Sequence, residues 1–361
     1  MSGSAEHAGM RAAVLRGLDQ PLQIVSALRW DALRRGQVLV KLAYSGVCHS
    51  QLMEARGLRG NDAYLPHLLG HEGSGRVEEV GPEVTKVKPG DFVVLGWIKG
   101  RGIDGGGTRY HRGEERFNAG GVTTFNEYAV VSENRLIPLV DGVPLDVAVL
   151  FGCAVPTGAG IVLNEIQPTP GSTIAIFGLG GIGLCALMAT RLFDFSEVLA
   201  IDVAESKLRM ALECGATRAI NSATTEPLAE IAALTQGRGV DYSIDASGMA
   251  TVIEMAFRSV RRRGGLCVFA SHPPAGESIR LDPYELICGK QIRGSWGGAS
   301  NADQDIPRLM ELYLTGKFPL ERLITRRYSL DMINEALGDL ESGRVGRPLV
   351  EIDPSLTLAR R

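Results

Sequence analysis

The stretch FGLGGIG, Phe177–Gly183, decides the fold of the second half of the chain. It follows the apolar run STIAIF and precedes a segment typical of a helix, so its glycines lie at a strand-to-helix turn. Gly178 permits the tight turn, Gly180 lets a pyrophosphate approach the backbone, and Gly183 allows close packing of helix and strand. Free N–H groups at the helix start favour anions. The expected phosphate-binding residues are Gly178, Gly180, Gly181, Ile182 and Gly183.

An acidic residue follows this turn at the spacing of a ribose-binding carboxylate. The next apolar strand, EVLAIDV, ends in Asp202. A carboxylate there accepts hydrogen bonds from both ribose hydroxyls and repels a 2′-phosphate, which favours NAD over NADP. Lys207 is a second candidate for the same ribose. The sequence therefore predicts an NAD site.

The order of the predicted elements indicates two domains of different class. From about Thr173, buried-type strands alternate with helices, which is typical of a doubly wound parallel sheet. Up to about Leu150, short strands such as QVLVKLAYSG are divided by Gly and Pro turns, which predicts a β-rich domain. At 361 residues the chain is also longer than a single hydrophobic core usually supports, so more than one domain is expected. The expected fold class is α/β, with a β-rich domain and a doubly wound domain.

Composition argues against several classes of partner. Lys and Arg number 38 against 41 Asp and Glu, so a net charge of -3 offers no attraction for nucleic acid or an anionic membrane. No run approaches the roughly 20 apolar residues of a membrane helix. The N-terminus lacks the features of a signal peptide. We therefore expect a cytoplasmic protein, whose six cysteines are thiols or metal ligands rather than disulfides.

Four residues offer donor groups that suit zinc: Cys48 in GVCHS, His71 and Glu72 in GHEGSG, and Cys153 in GCAVPTG. Catalytic zinc takes three protein ligands and keeps an open position. Two thiolates and one imidazole would form such a set, with the carboxylate as an occasional ligand. These residues are far apart in the chain, so spacing alone leaves the alternatives open. Each cysteine also fits a buried thiol, and the histidine fits a hydrogen-bonded core residue.

Four motifs, in this order, carry a resemblance: GVCHS, GHEGSGRVEEVGPEVTKVKPGD, GCAVPTG and FGLGGIG. Together they resemble the zinc-dependent alcohol dehydrogenases of the medium-chain dehydrogenase/reductase superfamily, over about Met10 to Asp353. The resemblance implies a GroES-like catalytic domain of residues 1–157 and 298–361. It implies a Rossmann NAD-binding domain of residues 158–297. It also implies a homodimer or homotetramer, joined through the Rossmann sheet near QIRGSWGG.

The same resemblance assigns roles at the metal. It implies one catalytic zinc per chain on Cys48, His71 and Cys153, with Glu72 beside it. It implies that the hydroxyl of Ser50 passes the substrate proton onward. In such enzymes the metal is a Lewis acid toward an alcohol oxygen, and the nicotinamide takes the hydride.

Further assignments concern the cofactor and the substrate. The resemblance places His49 and Arg347 near the cofactor pyrophosphate and Thr157 against the nicotinamide. It places Trp97 on the wall of the substrate pocket. The implied substrate is a small-molecule alcohol or its carbonyl partner.

Three features depart from the family pattern. Residues 99–121 contain no cysteine, so we expect no four-cysteine structural zinc there. We interpret that segment as a solvated loop, or as a lid that recognises a polar or anionic substrate. Gln51 replaces a common aspartate; we expect its amide oxygen to accept a hydrogen bond without adding charge. Met53 replaces a relay histidine, so the proton must leave by water or another group.

The leading hypothesis is a zinc-dependent, NAD-linked alcohol dehydrogenase. Because residues 99–121 are polar, a sugar, cyclitol or other polyol is preferred over ethanol as substrate. One alternative is a zinc-free reductase of quinones or activated alkenes from the same superfamily. Another is a non-catalytic NAD-binding protein that keeps the fold. The zinc ligands, Ser50 and Thr157 favour the enzyme.

Overall fold

The computed structural model describes residues 9–356. Residues 1–8, where no signal peptide is predicted, and residues 357–361, at the end of the predicted catalytic domain, lie outside the described part. The described chain separates into two compact units. The first unit comprises the residues up to Cys153, Asn301–Met310 and the residues from Ile324 onward; the second comprises Ala154–Ser300 and Glu311–Leu323. The domain boundaries drawn from the sequence, at 157/158 and 297/298, stay predictions.

Eighteen strands are formed within the described residues. They are β1 (Met10–Leu15), β2 (Gln23–Trp30), β3 (Gln37–Gly46), β4 (His67–Leu68), β5 (Gly73–Val80), β6 (Phe92–Leu95), β7 (Thr108–Arg112), β8 (Glu115–Ala119), β9 (Tyr128–Ser132), β10 (Leu136–Pro138), β11 (Ser172–Phe177), β12 (Phe195–Asp202), β13 (Arg218–Asn221), β14 (Tyr242–Asp245), β15 (Leu266–Phe269), β16 (Gln291–Gly294), β17 (Ile324–Ser329) and β18 (Arg347–Glu351).

Ten α-helices accompany these strands in the described part of the chain. They are α1 (His49–Ala55), α2 (Leu145–Ala148), α3 (Ala154–Gly160), α4 (Gly181–Thr190), α5 (Glu205–Cys214), α6 (Pro227–Leu234), α7 (Ala250–Ser259), α8 (Pro283–Ile287), α9 (Ala302–Leu314) and α10 (Ile333–Glu341). A π-helical turn, Ile161–Ile166, continues α3.

The first unit contains a closed barrel of β1, β2, β7, β8 and β4, and a second sheet in the order β10-β6-β5-β3-β18-β17, with β9 also paired to β3. Strand β3 is buried along most of its length, as its near-continuous apolar sequence predicts. It pairs antiparallel with β5, which sets Ser45 opposite Gly73. This register brings the chain after β3 close to the residues that precede β5.

The second unit is built on a parallel sheet in the order β13-β12-β11-β14-β15-β16. Its central strand, β11, is buried and ends at Phe177, beside Ile201 of β12. The carboxyl ends of these two strands therefore meet at one edge, where ligands bind in such sheets. The GroES-like and Rossmann classes predicted from the sequence are confirmed.

The interpretation of residues 99–121 as a loop is wrong for its second half. Strands β7 and β8 form a hairpin there, and β7 also pairs with β2 of the barrel. Tyr110 and Phe117 are fully buried between charged neighbours. This alternation of apolar and polar residues is the strand signal, and the abundant Gly and Arg residues obscured it. The hairpin is thus part of the barrel wall.

Among the described residues, no helix is by itself long and apolar enough to cross a membrane. Two consecutive helical segments, Leu145–Gly152 and Ala154–Ile166, meet the length and composition criteria only when they are taken together.

Candidate metal centre and cofactor site

The three predicted zinc ligands lie together in the first unit. Cys48 caps the N-terminus of α1, His71 lies between β4 and β5, and Cys153 follows a short 3₁₀ turn. One ligand atom from each of the three lies within 4.8 Å of the others. The pairing of β3 with β5 brings Cys48 and His71 together. A hydrogen bond of 3.2 Å from the Gly46 N–H to the Glu72 carbonyl oxygen also links these two segments.

The buried atoms of this cluster suit a zinc ion. His71 Nε2 and the second carboxylate oxygen of Glu72 are buried, and neither has a hydrogen-bond partner within the described residues. Unpaired buried polar atoms are rare in folded proteins, because each loses its hydration without compensation. Two sulfur atoms, one imidazole nitrogen and a nearby carboxylate are donors that zinc accepts. The residues present therefore fit the metal that the sequence implies.

The two thiols of the cluster interact as a pair. A hydrogen bond from Cys153 lowers the pKa of Cys48 well below its usual value, and the charges of Arg347 and His71 oppose the effect of burial. The pKa of Cys153 is raised, first because it donates that hydrogen bond and then because it is buried. One thiolate is thus favoured before any metal binds, which prepares the site for a cation.

Arg347 and Glu72 form an ion pair in the interior of the first unit. Burial alone would lower the pKa of Arg347, but the charges of Glu72, Cys48 and Cys153 outweigh burial and raise it well above the usual value. Burial raises the pKa of Glu72, and the guanidinium charge opposes that rise. Sequence reasoning missed this pair, because nothing local links residues so far apart. The predicted pyrophosphate contact of Arg347 stays a prediction.

Gln51 lies in the first turn of α1. Its side chain contacts both the backbone of Cys48, which precedes the helix, and the imidazole of His71. Its side-chain oxygen accepts a hydrogen bond of 2.9 Å from the Cys48 N–H. Its amide nitrogen, which can only donate, lies against His71 Nδ1. The amide oxygen therefore accepts a hydrogen bond, as expected, but from the Cys48 N–H at the helix start and not from His71. Ser50 Oγ lies 3.4 Å from His71 Nδ1, beside the cluster.

Two other predicted residues lie at the edges of this region. His49 is the first residue of α1 and is exposed. Trp97 follows β6 and is half-buried, and its carbonyl oxygen accepts a hydrogen bond from the guanidinium of Arg135.

The glycine-rich turn of the second unit has the predicted conformation. Gly178 has a φ of +86°, which favours glycine, and a side chain at Gly183 would collide with the Gly178 carbonyl. A Cβ at Gly180 would meet no atom within 4 Å, so the backbone there is open to a ligand. Helix α4 begins at Gly181 and directs its first N–H groups toward this opening. The turn is shaped for a phosphate group.

Asp202, at the end of β12, also supports this turn. Its carboxylate oxygens accept hydrogen bonds of 2.7 Å from the Leu179 N–H and 3.0 Å from the Ala204 N–H. Lys207 Nζ lies 4.0 Å from the same carboxylate. Asp202 is largely buried. Sequence reasoning placed this side chain at the ribose but missed its bond to the glycine-rich turn.

Comparison with known proteins agrees with this geometry. Residues 34–141 match the family described as Alcohol dehydrogenase GroES-like domain, and residues 181–315 match the family described as Zinc-binding dehydrogenase. An NDMA-dependent alcohol dehydrogenase of Amycolatopsis methanolica is 35% identical over 92% of this chain and 96% of its own length. The chain belongs to the zinc-type alcohol dehydrogenase family of the medium-chain dehydrogenase/reductase superfamily.

Other members of this family are similar over almost the whole chain. An S-(hydroxymethyl)glutathione dehydrogenase of Photobacterium damsela subsp. piscicida is 32% identical, over 94% of this chain and 99% of its own. A solved alcohol dehydrogenase zinc-binding domain protein of Burkholderia ambifaria is 32% identical and has a TM-score of 0.86, over 95% of this chain and 98% of its own. This family member is thus an oxidoreductase that acts on CH–OH groups with zinc and NAD.

Thr157 of this dehydrogenase lies in α3 of the second unit. Its side chain is buried, and its hydroxyl has no hydrogen-bond partner within the described residues. A buried hydroxyl without a hydrogen-bond partner destabilises the folded protein, unless a bound ligand supplies the partner. This is the environment that a nicotinamide contact would require.

A cavity of about 840 Å³ lies in the first unit beside His71 and Gln51. The β7–β8 hairpin contributes part of its wall, including Arg109. Glu54 and His67 also line it, and neither was singled out from the sequence. The cavity is therefore polar and adjoins the metal ligands.

Proposed function

We propose that Cys48, His71 and Cys153 hold the catalytic zinc, with Glu72 beside it. The observation that carries this proposal is the convergence of the three ligand atoms within 4.8 Å, in a cluster where His71 Nε2 is buried and unpaired. A zinc-free quinone or alkene reductase has no use for this cluster, and neither has a non-catalytic NAD-binding protein.

When bound, the zinc supplies a Lewis acid for the alcohol oxygen, and NAD accepts the hydride. Ser50 Oγ lies beside His71 and takes the proton of the substrate hydroxyl. Met53, one turn further along α1, is buried and has no basic group to receive that proton. The proton therefore leaves Ser50 through water or the cofactor ribose.

The proposed NAD site begins at the glycine-rich turn. The pyrophosphate is bound by the turn residues Gly178, Gly180, Gly181, Ile182 and Gly183, and the proposed places of His49 and Arg347 are near it. Asp202 accepts hydrogen bonds from the adenosine ribose, with Lys207 beside it. Thr157 Oγ1 contacts the nicotinamide ring and thereby orients the face that receives the hydride.

The proposed substrate is a polar alcohol such as a sugar, cyclitol or other polyol. The support is the polar cavity beside His71, to which the hairpin contributes Arg109. Trp97 is not among the residues that line this cavity, so its role as a wall of the substrate pocket stays a prediction. A relative named for S-(hydroxymethyl)glutathione is consistent with a polar substrate.

The proposed assembly is a homodimer or homotetramer joined through β16. This strand is at one end of the parallel sheet, and an edge strand offers unpaired backbone groups. Large apolar side chains around it are exposed: Tyr284 by 59%, Ile287 by 80% and Trp296 by 82%. Pairing with a second copy would cover these groups.

A substrate panel on zinc-loaded and zinc-depleted protein tests this function. Alcohols, cyclitols and sugars are supplied with NAD, and NADH is followed by its absorbance. We expect kcat/KM for the best polyol to exceed that for ethanol by at least about tenfold. Turnover should vanish on zinc removal and return when zinc is added. Undiminished turnover without zinc would contradict the proposal.

A further inference from the structure

A second group of metal-binding side chains lies on the cavity wall of the first unit. Glu54 comes from the last turn of α1, Asp62 from the segment before β4, and His67 from β4 itself. One ligand atom from each lies within 4.8 Å of the others. This group shares no residue with the Cys48, His71 and Cys153 cluster.

The hydrogen bonds of His67 determine which of its nitrogens is available. Its Nδ1 lies 3.0 Å from the Leu68 carbonyl oxygen, which can only accept, so Nδ1 carries a proton. Its Nε2 lies 2.7 Å from Asp62 Oδ2 and 3.8 Å from Glu54 Oε1. Nε2 therefore faces two carboxylate oxygens, with room for a proton or a metal ion between the nitrogen and these oxygens. A histidine whose other nitrogen donates to a backbone carbonyl is in the form that ligates metals.

Two carboxylates that face one imidazole nitrogen need a positive charge between them, which a proton on Nε2 or a metal ion can supply. The side chain of His67 is only 7% exposed and that of Asp62 12%, so water screens these charges weakly. Arg59 approaches Glu54 at 3.4 Å but through the other oxygen, Oε2, which leaves Oε1 directed at His67. Asp62 likewise uses Oδ1 to accept from the Tyr64 N–H, so that Oδ2 faces His67 Nε2.

We propose that Glu54, Asp62 and His67 bind a divalent metal ion that is distinct from the catalytic zinc. The separations of 3.8 Å and 2.7 Å between Nε2 and the two carboxylate oxygens allow an ion to lie about 2.0–2.2 Å from the nitrogen and from either oxygen. One imidazole and two carboxylates suit Mn²⁺ or Zn²⁺, and the group contains no thiolate, the ligand that favours softer metals. Glu54 and His67 face the cavity, which provides an access path and room for water ligands.

The ion would tie the segment after α1 to the helix that carries Ser50 and Gln51. Its role is structural, because Glu54, Asp62 and His67 bind neither the cofactor nor the reacting atoms in the proposed mechanism. Occupancy should therefore raise thermal stability, while Asp62→Asn, at a residue that does not line the cavity, should keep kcat within about twofold of wild type.

Mn²⁺ binding to the zinc-loaded enzyme tests this site. Free Mn²⁺ is counted by electron paramagnetic resonance during a titration. We expect one Mn²⁺ per chain for wild type, an affinity loss of at least about tenfold for Asp62→Asn and His67→Gln, and a Tm increase with Mn²⁺ only in wild type. Asp62→Asn keeps the acceptor for the Tyr64 N–H, so it should fold even where His67→Gln does not.

Asp31→Asn is the matched control, because Asp31 lines the same cavity but belongs to neither ligand group. It should bind Mn²⁺ as wild type does. Equal Mn²⁺ affinity in wild type and Asp62→Asn would overturn the proposal. So would no Mn²⁺ binding by wild type, which would show that a proton on His67 Nε2 neutralises the carboxylates instead.

Discussion

Arg347 and Glu72 form an ion pair whose side chains are 6% and 0% exposed, beside the thiols of Cys48 and Cys153. The guanidinium is therefore the positive charge that offsets a carboxylate and a thiolate in a dry environment. Removing one partner of a buried pair leaves the other charged group without compensation.

Arg347→Met should lower the free energy of unfolding by about 3–5 kcal/mol, because Glu72 then remains buried without its partner. Urea unfolding measures this loss. The double variant Glu72→Gln/Arg347→Met removes both charges and should recover most of it. If the double variant were no more stable than the single one, the pair would not be the source of the loss.

Gln51→Glu should tighten zinc binding by about tenfold or more. The carboxylate has the same length as the amide, but both of its oxygens accept. It can therefore keep the bond to the Cys48 N–H and also accept from His71 Nδ1–H, the tautomer that leaves Nε2 for the metal. Competition with a chromophoric chelator measures the affinity. Gln51→Met, which adds no charge beside His71, is the control and should not tighten zinc binding; unchanged affinity in Gln51→Glu would refute this account.

Asp202→Ala should reduce the preference for NAD over NADP, measured as the ratio of kcat/KM values, by at least about tenfold. Asp202→Asn is the control that separates two roles. It keeps an oxygen for the Leu179 N–H but removes the charge that repels a 2′-phosphate. Both variants should lose the preference, and only the alanine variant should lose stability as well. An unchanged ratio in both would mean that other residues recognise the ribose.

Stability at alkaline pH should depend on Tyr110. Burial raises its pKa to about 12. A tyrosine in the unfolded chain ionises near about 10. Between these values the unfolded state loses a proton that the folded state keeps, so this contribution is complete below pH 10 and falls by about 1.4 kcal/mol per pH unit as the pH rises toward 12. Tyr110→Phe should lack that part of the slope in urea unfolding from pH 9 to 12; an identical slope would contradict the assignment.

Much of the fold was predictable because its signals are local. The strand QVLVKLAYSG coincides with β3. The predicted strand STIAIFG and helix GIGLCALMATRLF overlap β11 and α4, which end one and three residues earlier. The β7–β8 hairpin was missed because its strands are short and rich in Arg, and because Gly-rich segments flank them. Its register depends on pairing with β2, some 80 residues earlier in the chain, which no local pattern reveals.

The site was predictable where residue type and motif determine the chemistry, as for Cys48 and Gly178. The contacts around those residues were not, since they depend on side-chain geometry. Gln51 offers either its oxygen or its nitrogen, and only the helix cap shows which one faces His71. Arg347 was expected at the cofactor, and its contact with Glu72 arises from the packing of distant strands.

Cobalt substitution of Cys153→Ser tests the central claim, that Cys48, His71 and Cys153 hold the catalytic metal. Co²⁺ bound by two thiolates gives a strong charge-transfer absorption, whereas a site of histidine and carboxylates gives none. We predict that Cys153→Ser weakens this absorption and abolishes turnover but retains NADH binding, while Cys288→Ser, at a half-buried thiol of the second unit, retains all three. Undiminished absorption and turnover in Cys153→Ser would contradict the account.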